Sequence, residues 1–494
     1  MKKFKLSHQI VLLSLISILA LVLRLYKIDA PLADHHSWRQ VDSAAVIRNL
    51  ATEKFDLLRP RWDNLLPTNA QGLVNPELYF FEDFPLGFDV YPALLYQVFG
   101  VQEKLARLTA IIFSLGTMIS LYFLTRLLIG PIEAILAAFY WAILPYSVFY
   151  SRTILQEPAA MFYLVGSLFL VASWAKDKNK TGFTPRILIA ALLYALALLT
   201  KSYNLFFAPL FAYLFWWKDG FQVLKKKSPY LFFLVAFSFF GGWWWWIGKH
   251  PEGLPYSSWL LNEGNIRFKG AWFYWLFAER MGKLILGYWG LVLLGIGLVL
   301  QAKKEKYFFH LWFLGQIAFM AVFAKGNVTH DYYQYLFLPF GVVFLAKGSR
   351  WLLTVPGKHF SRILSAGLFF LCLLFGVAFS WYFVRDFYNL QGGVDLAGKA
   401  VDQLVPSGAL VVAGDGADPT LLYNTNRTGW TIGFGSTLEN TPAVLQKLID
   451  EEADYYVTTK IDALQGSGFG DYLKHNFNVI KETDQFIIYS LQPK

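Results

Sequence analysis

Long apolar runs are the feature that most constrains this chain. A bilayer core is crossed by about 20 apolar residues in a helix, and about eleven such runs lie between Gln9 and Phe383. They begin near Gln9, Arg107, Pro131, Pro158, Ile187, Tyr203, Pro229, Lys283, Tyr307, Tyr335 and Arg362. Of the 494 residues, 56% are hydrophobic and 16% are charged, which exceeds what the core of a soluble domain needs. The sequence therefore predicts a mainly α, polytopic membrane bundle of about eleven transmembrane helices.

Clusters of Lys and Arg predict the orientation of this bundle. They lie at residues 2–5, 176–186, 218–227, 303–306 and 347–362, and all fall on one side if the runs alternate. The positive-inside rule then places the N-terminus in the cytoplasm of a multi-pass protein of the cell (plasma or inner) membrane. The net charge of +10 is explained by this topology, so no nucleic-acid partner is expected. The first run is interpreted as a retained helix, because no small-residue cleavage motif follows it.

The opposite, extracytoplasmic face receives a long first loop, residues 27–104. Its stretch DSAAVIRNLATEKF is amphipathic and is expected to start a helix at Asp42 and to lie in the membrane interface. After residue 385 the apolar density drops, and strand-like runs (ALVVAGD, DYYVTT, QFIIYSL) alternate with a helical one, TPAVLQKLIDEEA. We therefore predict a transmembrane domain at residues 1–385 and a small extracytoplasmic α/β domain at residues 386–494.

Ionisable residues at membrane-embedded helix ends are costly, and they concentrate on this face. Four segments carry them: DHHSWRQVD with Asp34, His36, Arg39 and Asp42; YSRTILQEP with Arg152 and Glu157; LLTKSYN with Lys201; and HDYYQYLFLP with His330, Asp331 and Tyr333. Simpler roles exist for each, such as a solvated loop, a helix cap at Glu157, snorkelling of Lys201, or interfacial anchoring by tyrosines. Together, acids and cations on one face suit sugar transfer from a lipid phosphate. A carboxylate deprotonates the acceptor hydroxyl, and cations hold the departing phosphate.

The order of these segments resembles that of the polyprenyl-phosphate-dependent glycosyltransferases of the GT-C superfamily. Within it, the chain is most similar to the branch of protein O-mannosyltransferases, the lipid A aminoarabinose transferase and bacterial galacturonic acid transferases. The resemblance covers roughly residues 10–346, and it includes EDFPL before YPALLYQVFG. It implies a hexosyl- or pentosyltransferase of cell-envelope glycans or lipopolysaccharide, with a polyprenyl-phosphate sugar as donor and a lipid, glycan or protein as extracytoplasmic acceptor.

Carried over residue by residue, the resemblance makes a first-loop Asp the general base, with Glu157 as the second acidic residue and Lys201 as the lysine of a Thr-Lys turn. Many members have an Asp-Glu pair where this chain has Arg39-Gln40, so Asp42 ranks first as the base, Asp34 second and His36 third. Arg39, Arg152, His330, Asp331 and Tyr333 are the further predicted substrate-binding residues.

No cofactor is required by this chemistry, although a divalent metal is possible. Some relatives use one, and His35, His36, His330 and Asp331 offer ligand atoms without a spacing that demands a metal. The single cysteine, Cys372, excludes a Cys-based zinc site.

Two other classes of protein remain. A transporter or lipid flippase is also polytopic, but we find no repeat between the two halves. A membrane scaffold leaves the first-loop charges unexplained.

Overall fold

The described residues of this computed structural model are 5–65, 73–177, 179, 182–255, 257–300, 306–354, 361–436 and 438–493. The α-helices of the membrane part are α1 (Leu6–Arg24), α2 (Ser37–Thr52), α3 (Val90–Phe99), α4 (Glu103–Leu128), α5 (Pro131–Ile143), α6 (Pro145–Tyr150), α7 (Glu157–Lys176), α8 (Pro185–Thr200), α9 (Ala208–Asp219), α10 (Lys227–Ile247), α11 (Trp259–Asn262), α12 (Gly270–Phe273), α13 (Gly290–Val299), α14 (Phe308–Val322), α15 (Ala324–Thr329), α16 (Leu338–Thr354) and α17 (Arg362–Val384). Short 3-10 segments include Pro85–Gly87, Ser202–Phe207 and Asp331–Phe337, and Tyr274–Ile285 is π-helical.

Each of the eleven predicted apolar runs contains helix. By length and composition, six helical segments of the described ranges are able to cross a bilayer, or seven if the pair Gly270–Ile285 and Gly290–Val299, bent by 114°, is one span. The other apolar helices, such as α5 and α14, are shorter. The polytopic helical bundle is therefore confirmed, whereas the number of eleven spans stays a prediction.

Burial separates the centre of the bundle from its rim. Of the most apolar 18 residues of the segment Asp331–Thr354, which includes α16, 83% are buried. The corresponding share in α1 is 17%, and this helix exposes apolar residues such as Ile10 and Val11. Apolar side chains facing outward are what a lipid-facing helix needs. The segment Asp331–Thr354 thus lies at the centre of the bundle, and α1, α10 and α17 lie at its edge.

A five-stranded sheet forms the core of the C-terminal part. Its elements are α18 (Val394–Leu404), β1 (Val411–Ala413), α19 (Thr420–Asn424), β2 (Gly429–Thr431), α20 (Pro442–Asp450), β3 (Tyr455–Thr458), α21 (Ile461–Gln465), α22 (Gly468–Asn476), β4 (Phe477–Glu482) and β5 (Ile487–Pro493). The strand order is β2-β1-β3-β5-β4, with β1 parallel to β2 and β3, and β5 antiparallel to β3 and β4. Alternate side chains of β1 enter separate apolar clusters, one with α18 and α19 and one with α20 and α22. The predicted α/β domain is confirmed.

The first loop is folded against this sheet. Leu65 N donates to Gly429 O (2.6 Å), Gly429 N donates to Asp63 O (3.1 Å), and Asn64 Nδ2 donates to Thr431 Oγ1 (3.2 Å). The loop therefore extends the β2 edge of the sheet, although it belongs to the other end of the sequence. The domain boundary at residue 386 stays a prediction.

The prediction that α2 lies in the membrane interface is wrong. The helix begins at Ser37 rather than at Asp42, and most of its residues are buried, including Ala44 and Ala45. Small side chains allow it to be covered on several sides. It packs against α3 and against α19 of the C-terminal part. The helix therefore lies inside the protein, where it brings the first-loop charges to the site.

Candidate active site

Five segments meet at one end of the bundle and carry the predicted residues. They are the start of α2, the turn before Pro85–Gly87, the α6–α7 turn, the residue after α8, and the segment Asp331–Phe337. Glu157 is the first residue of α7, and Lys201 follows the last residue of α8. A helix N-terminus favours an anion and a C-terminus favours a cation, so local structure stabilises both charges.

The first group is a carboxylate–cation cluster of Arg39, Glu82, Asp83, Glu157 and Lys201. Arg39 Nη2 lies 2.8 Å from Asp83 Oδ2 and 3.1 Å from Glu82 Oε1. Lys201 Nζ lies 2.8 Å from Asp83 Oδ2, 3.8 Å from Glu82 Oε1 and 3.9 Å from Glu157 Oε1. The Glu82 side chain is 32% exposed, whereas those of the other four members are below 8%. Solvent therefore reaches this cluster at Glu82.

Burial controls the ionisation of the acids in and beside this cluster. It raises the pKa of Asp83 to about 6, although Lys201 and Arg39 oppose the shift. It also raises the pKa of Asp89 to about 7, and the charge of Asp83 adds to that shift. An acid with a pKa near neutrality exchanges its proton easily at physiological pH. Burial and the neighbouring charge of Glu82 therefore outweigh the two cations that pair with Asp83.

The second group is built around Asp34. Arg152 Nη2 lies 2.9 Å from Asp34 Oδ2, Arg107 Nη2 lies 3.9 Å from the same oxygen, and Gln40 Nε2 donates to Oδ1 at 2.7 Å. Arg152 Nη1 also donates to Lys27 O at 2.7 Å. All three charged side chains are at most 1% exposed. Both oxygens of Asp34 are therefore engaged, and Arg152 braces the first loop.

Asp42 differs from Asp34. Its Oδ1 is buried, and no hydrogen-bond partner for it occurs among the described residues. Burial raises the pKa of Asp42 well above its usual range, and Arg39, one helical turn earlier, opposes the shift. The residue borders a small cavity lined by Trp62 and Tyr423. It is therefore a first-loop acid with one buried oxygen to which no described residue donates a hydrogen bond.

The third group is the histidine–aspartate cluster of His35, His36 and Asp331. His36 Nε2 lies 2.7 Å from Asp331 Oδ1, and His35 Nε2 lies 3.1 Å from Asp331 Oδ2. Tyr150 donates its hydroxyl to Asp331 Oδ1, and Arg280 Nη1 lies 3.6 Å from Oδ2. Three segments far apart in sequence therefore converge on one buried carboxylate.

The last two predicted residues lie next to these groups. The His330 ring is stacked on Tyr332 with centroids 5.2 Å apart. Tyr333 packs its ring 5.7 Å from Tyr203, which donates its hydroxyl to Glu157 Oε1 at 2.8 Å. The four predicted segments thus come together, although their roles remain predictions.

Several residues of these groups were not predicted as site residues, among them Glu82, Asp83, Arg107, Tyr150 and Arg280. Glu82 and Asp83 lie in EDFPL, which served only as a mark of resemblance, and Arg280 lies in the π-helical segment Tyr274–Ile285, where no candidate residue was predicted. Two adjacent acids in a loop between apolar runs are a signal by which Glu82 and Asp83 could have been predicted. Arg280 carried no such signal, because a single Arg near a helix is common.

A polar cavity of about 530 Å³ lies apart from these groups, between α2 and the C-terminal part. Arg48, Asp63, Tyr423 and Arg427 are among its lining residues. Arg48 Nη2 is paired with Asp63 Oδ2 at 2.5 Å, and Arg427 Nη2 donates to Val405 O at 2.6 Å. These pairings indicate that the lining residues stabilise the contact between α2 and the C-terminal part. We therefore place the candidate active site at the carboxylate–cation, Asp34 and histidine–aspartate groups rather than at this cavity.

Comparison with known proteins supports the resemblance stated above. The family model of dolichyl-phosphate-mannose-protein mannosyltransferases matches residues 83–246, which include Asp83, Glu157 and Lys201. ArnT from Cupriavidus metallidurans bound to undecaprenyl phosphate is similar over 97% of both chains, with a TM-score of 0.65 and 13% identity. The chain has the GT-C fold.

A second solved structure of this fold is the archaeal oligosaccharyltransferase AglB from Archaeoglobus fulgidus, in complex with an inhibitory peptide and a dolichol-phosphate. It matches 97% of this chain and 74% of its own, with a TM-score of 0.57 and 10% identity. No sequence among curated proteins matches this chain. The similarity to GT-C enzymes is therefore one of fold and of a family motif region, at low identity.

Proposed function

We propose that this chain is a membrane glycosyltransferase that moves a hexosyl or pentosyl group from a polyprenyl-phosphate donor to an extracytoplasmic lipid, glycan or protein. The observation that carries the proposal is the carboxylate–cation cluster, in which Arg39 and Lys201 share Asp83. The fold supports it, because the similar ArnT and AglB structures contain undecaprenyl phosphate and dolichol-phosphate. This similarity to transferases favours an enzyme over a transporter or flippase.

In the proposed reaction the acceptor oxygen attacks the anomeric carbon, and the bond from that carbon to the phosphate oxygen breaks. The polyprenyl phosphate leaves with the electron pair of that bond. Arg39 and Lys201 are positioned to hold its negative charge, since both are buried and charged. Asp83, whose pKa is about 6, is the carboxylate that takes up a proton when the phosphate competes for the two cations.

The acceptor hydroxyl must lose its proton to a carboxylate, and we assign this role first to Asp42. No described residue forms a hydrogen bond with its Oδ1, whereas both oxygens of Asp34 are engaged. Burial raises the pKa of Asp42, which makes its ionised form a stronger base. Glu82 is the alternative, because it is the exposed acid of the carboxylate–cation cluster.

The test is sugar transfer from a radiolabelled polyprenyl-phosphate donor by purified Asp42→Asn, Glu82→Gln and Asp34→Asn variants. General-base catalysis typically contributes 10²–10⁴-fold, so Asp42→Asn is expected to lose activity by roughly 100-fold or more. Wild-type activity is expected to rise with pH above the usual Asp range, as Asp42 ionises. The control is Asp29→Asn, a first-loop acid with a side chain 73% exposed.

Full activity of Asp42→Asn together with a large loss in Glu82→Gln would move the base to Glu82. Full activity in all three variants would remove the carboxylate mechanism. A folded Asp34→Asn variant is expected to lose thermal stability more than activity, because Arg107 and Arg152 lose their shared partner.

A further inference from the structure

The polar cavity of about 530 Å³ between α2 and the C-terminal part has a lining that suits one class of ligand. Ligand pockets in proteins have volumes of about 300 to 1,000 Å³, so this cavity is large enough for a small molecule or for the end of a larger one. Of the described residues that line it, only Val101 is aliphatic. Neutral polar side chains come from Asn49, Thr52, Ser407, Asn424, Asn426 and Thr428. A lipid chain therefore finds no apolar wall here, whereas a ligand rich in hydroxyl groups finds hydrogen-bond donors and acceptors.

The charges of the lining are largely paired. The charged residues are two cations and three acids, namely Arg48, Arg427, Glu53, Asp63 and Glu103. Arg48 Nη2 is paired with Asp63 Oδ2, and Arg427 Nη1 lies 3.1 Å from Asp402 Oδ1. An anionic ligand would therefore meet three acids and, among the described residues of the lining, no unpaired cation. This balance of charges favours an uncharged ligand.

Contacts among the lining residues fix the wall of the cavity before a ligand binds. The Arg48 guanidinium lies over the Tyr423 ring, 4.7 Å from its centroid, and donates to Asn426 Oδ1 at 2.9 Å. Asn49 Nδ2 donates to Asp63 Oδ1 at 3.1 Å. A wall that is already ordered loses little conformational entropy on binding, which favours the binding of a flexible ligand.

Helix α2 connects this cavity to Asp42. The smaller cavity beside Asp42 is also lined by Asp63 and Tyr423, so the two cavities are adjacent. Its volume of about 10 Å³ accommodates about one water molecule or one hydroxyl group. Asn49 lies seven residues after Asp42, on the same face of α2 and about 10 Å further along its axis. Arg39 of the carboxylate–cation cluster lies one turn before Asp42, so Asp42 stands between that cluster and the polar cavity.

An extended peptide fits this cavity less well than a saccharide does. Peptides commonly bind by adding a strand to an open sheet edge, and the nearest edge is that of β2, which follows the lining residue Thr428. This edge is already paired with the first loop, since Gly429 N donates to Asp63 O and Leu65 N donates to Gly429 O. Strand addition is therefore blocked at this position.

We infer that the polar cavity binds an uncharged, hydroxyl-rich saccharide, and that this saccharide is the acceptor, with one hydroxyl group directed to Asp42. The role as acceptor rests on the proposed function, whereas the saccharide site rests on the lining of the cavity alone. In the transfer, the hydroxyl oxygen forms the bond to the anomeric carbon, the bond from that carbon to the phosphate oxygen breaks, and Asp42 takes the hydroxyl proton.

The first test measures occupation of the cavity without sugar transfer. Ser407→Cys in a Cys372→Ser background puts the single cysteine at an exposed position of the lining, and its rate of maleimide labelling is measured in detergent. The probes are neutral and anionic oligosaccharides released from the envelope of the cells in which this protein occurs, separated by anion exchange. The neutral fraction is expected to slow labelling by about tenfold at ten times its Kd, and the anionic fraction is expected to have no effect.

The matched control is Ala463→Cys in the same background. Ala463 is an exposed residue of α21 and lines neither cavity, so both fractions are expected to leave its labelling unchanged.

The second test measures transfer from a radiolabelled polyprenyl-phosphate donor to the neutral fraction, with transfer to water measured in parallel as donor hydrolysis. Ser407→Trp fills part of the cavity and is expected to lower the ratio of transfer to hydrolysis by about tenfold or more, the effect of one or two lost hydrogen bonds. Ala463→Trp adds the same side chain outside the cavity and is expected to leave the ratio unchanged.

The outcomes separate this inference from the proposed function. The inference is overturned if the neutral fraction does not protect Ser407→Cys, or if the sugar is transferred to a peptide or a lipid and not to the neutral fraction. Wild-type protein that hydrolyses the donor without such protection keeps the transferase and loses this acceptor site. Protection of Ser407→Cys by the neutral fraction, without any reaction of the donor, supports the saccharide site and contradicts the proposed function.

Discussion

Buried acids decide much of the chemistry at the scale of single residues. The first loop carries Asp42, Asp83 and Asp89, and burial raises the pKa of each. Asp83 has two cationic partners, whereas among the described residues the Asp89 side chain accepts one hydrogen bond, from the neutral Gln156 at 3.3 Å. Ionisation of Asp89 therefore destabilises the folded state.

The cost of ionising Asp89 predicts that the effect of Asp89→Asn on stability depends on pH. The pKa of Asp89 in the folded protein, about 7, exceeds the value of about 3.9 in an unfolded chain, so ionisation opposes folding. The penalty grows between about pH 4 and pH 7, by roughly 1.4 kcal/mol per pH unit, and levels off above pH 7. Asp89→Asn removes it, so the variant is expected to melt above the wild-type protein at pH 8 and at nearly the same temperature at pH 4.

The measurement is thermal unfolding in detergent across this pH range. Asp29→Asn, which changes an exposed acid of the same loop, is the control and is expected to leave the melting temperature unchanged. A stability gain of Asp89→Asn that is the same at every pH contradicts the assigned ionisation.

At the scale of elements, close helix packing depends on glycines in α13. A Cβ at Gly297 would collide with the backbone carbonyl of Phe344 in α16, and α13 also approaches α16 at Gly348. A Cβ at Gly295, half a turn away in the same helix, meets nothing within 4 Å. The helix therefore has one face that tolerates only glycine and one that does not require it.

This contrast predicts opposite outcomes for two conservative substitutions. Gly297→Ala forces α13 away from α16, and overpacking of this kind costs typically 1–3 kcal/mol. Gly295→Ala is expected to be neutral or slightly stabilising, because alanine favours a helix. Melting temperature and monodispersity in detergent check both, and equal stability of the two variants would show that α13 and α16 are not packed through Gly297.

The elements were largely predictable, because hydropathy and strand patterns are local signals. The runs ALVVAGD, DYYVTT and QFIIYSL form β1, β3 and β5, and TPAVLQKLIDEEA contains α20. The burial of α2 was not predictable, since an amphipathic pattern does not say whether lipid or protein covers the helix. Nor was the pairing of Asp34 with Arg152, because 118 residues separate them and only the folded bundle brings them together.

At the scale of the whole molecule, the predicted topology places the first loop and the C-terminal sheet on the extracytoplasmic side. Cysteine accessibility tests this in a Cys372→Ser background. The variant Asp29→Cys, at an exposed position, is expected to react with a membrane-impermeant maleimide in intact cells. A cysteine at Lys225, which follows α9, is expected to react only after the cells are opened. If only Lys225→Cys is labelled in intact cells, the topology is the opposite of the predicted one.

The strand edge shared by the first loop and β2 has a consequence for biosynthesis. Asn64 and Thr431 are 367 residues apart, so the loop emerges long before its partner exists. At 5–20 residues per second, a ribosome needs about 20 to 70 s to make the intervening chain. For that interval the backbone groups of residues 63–65 lack the strand β2 with which they pair in the folded protein.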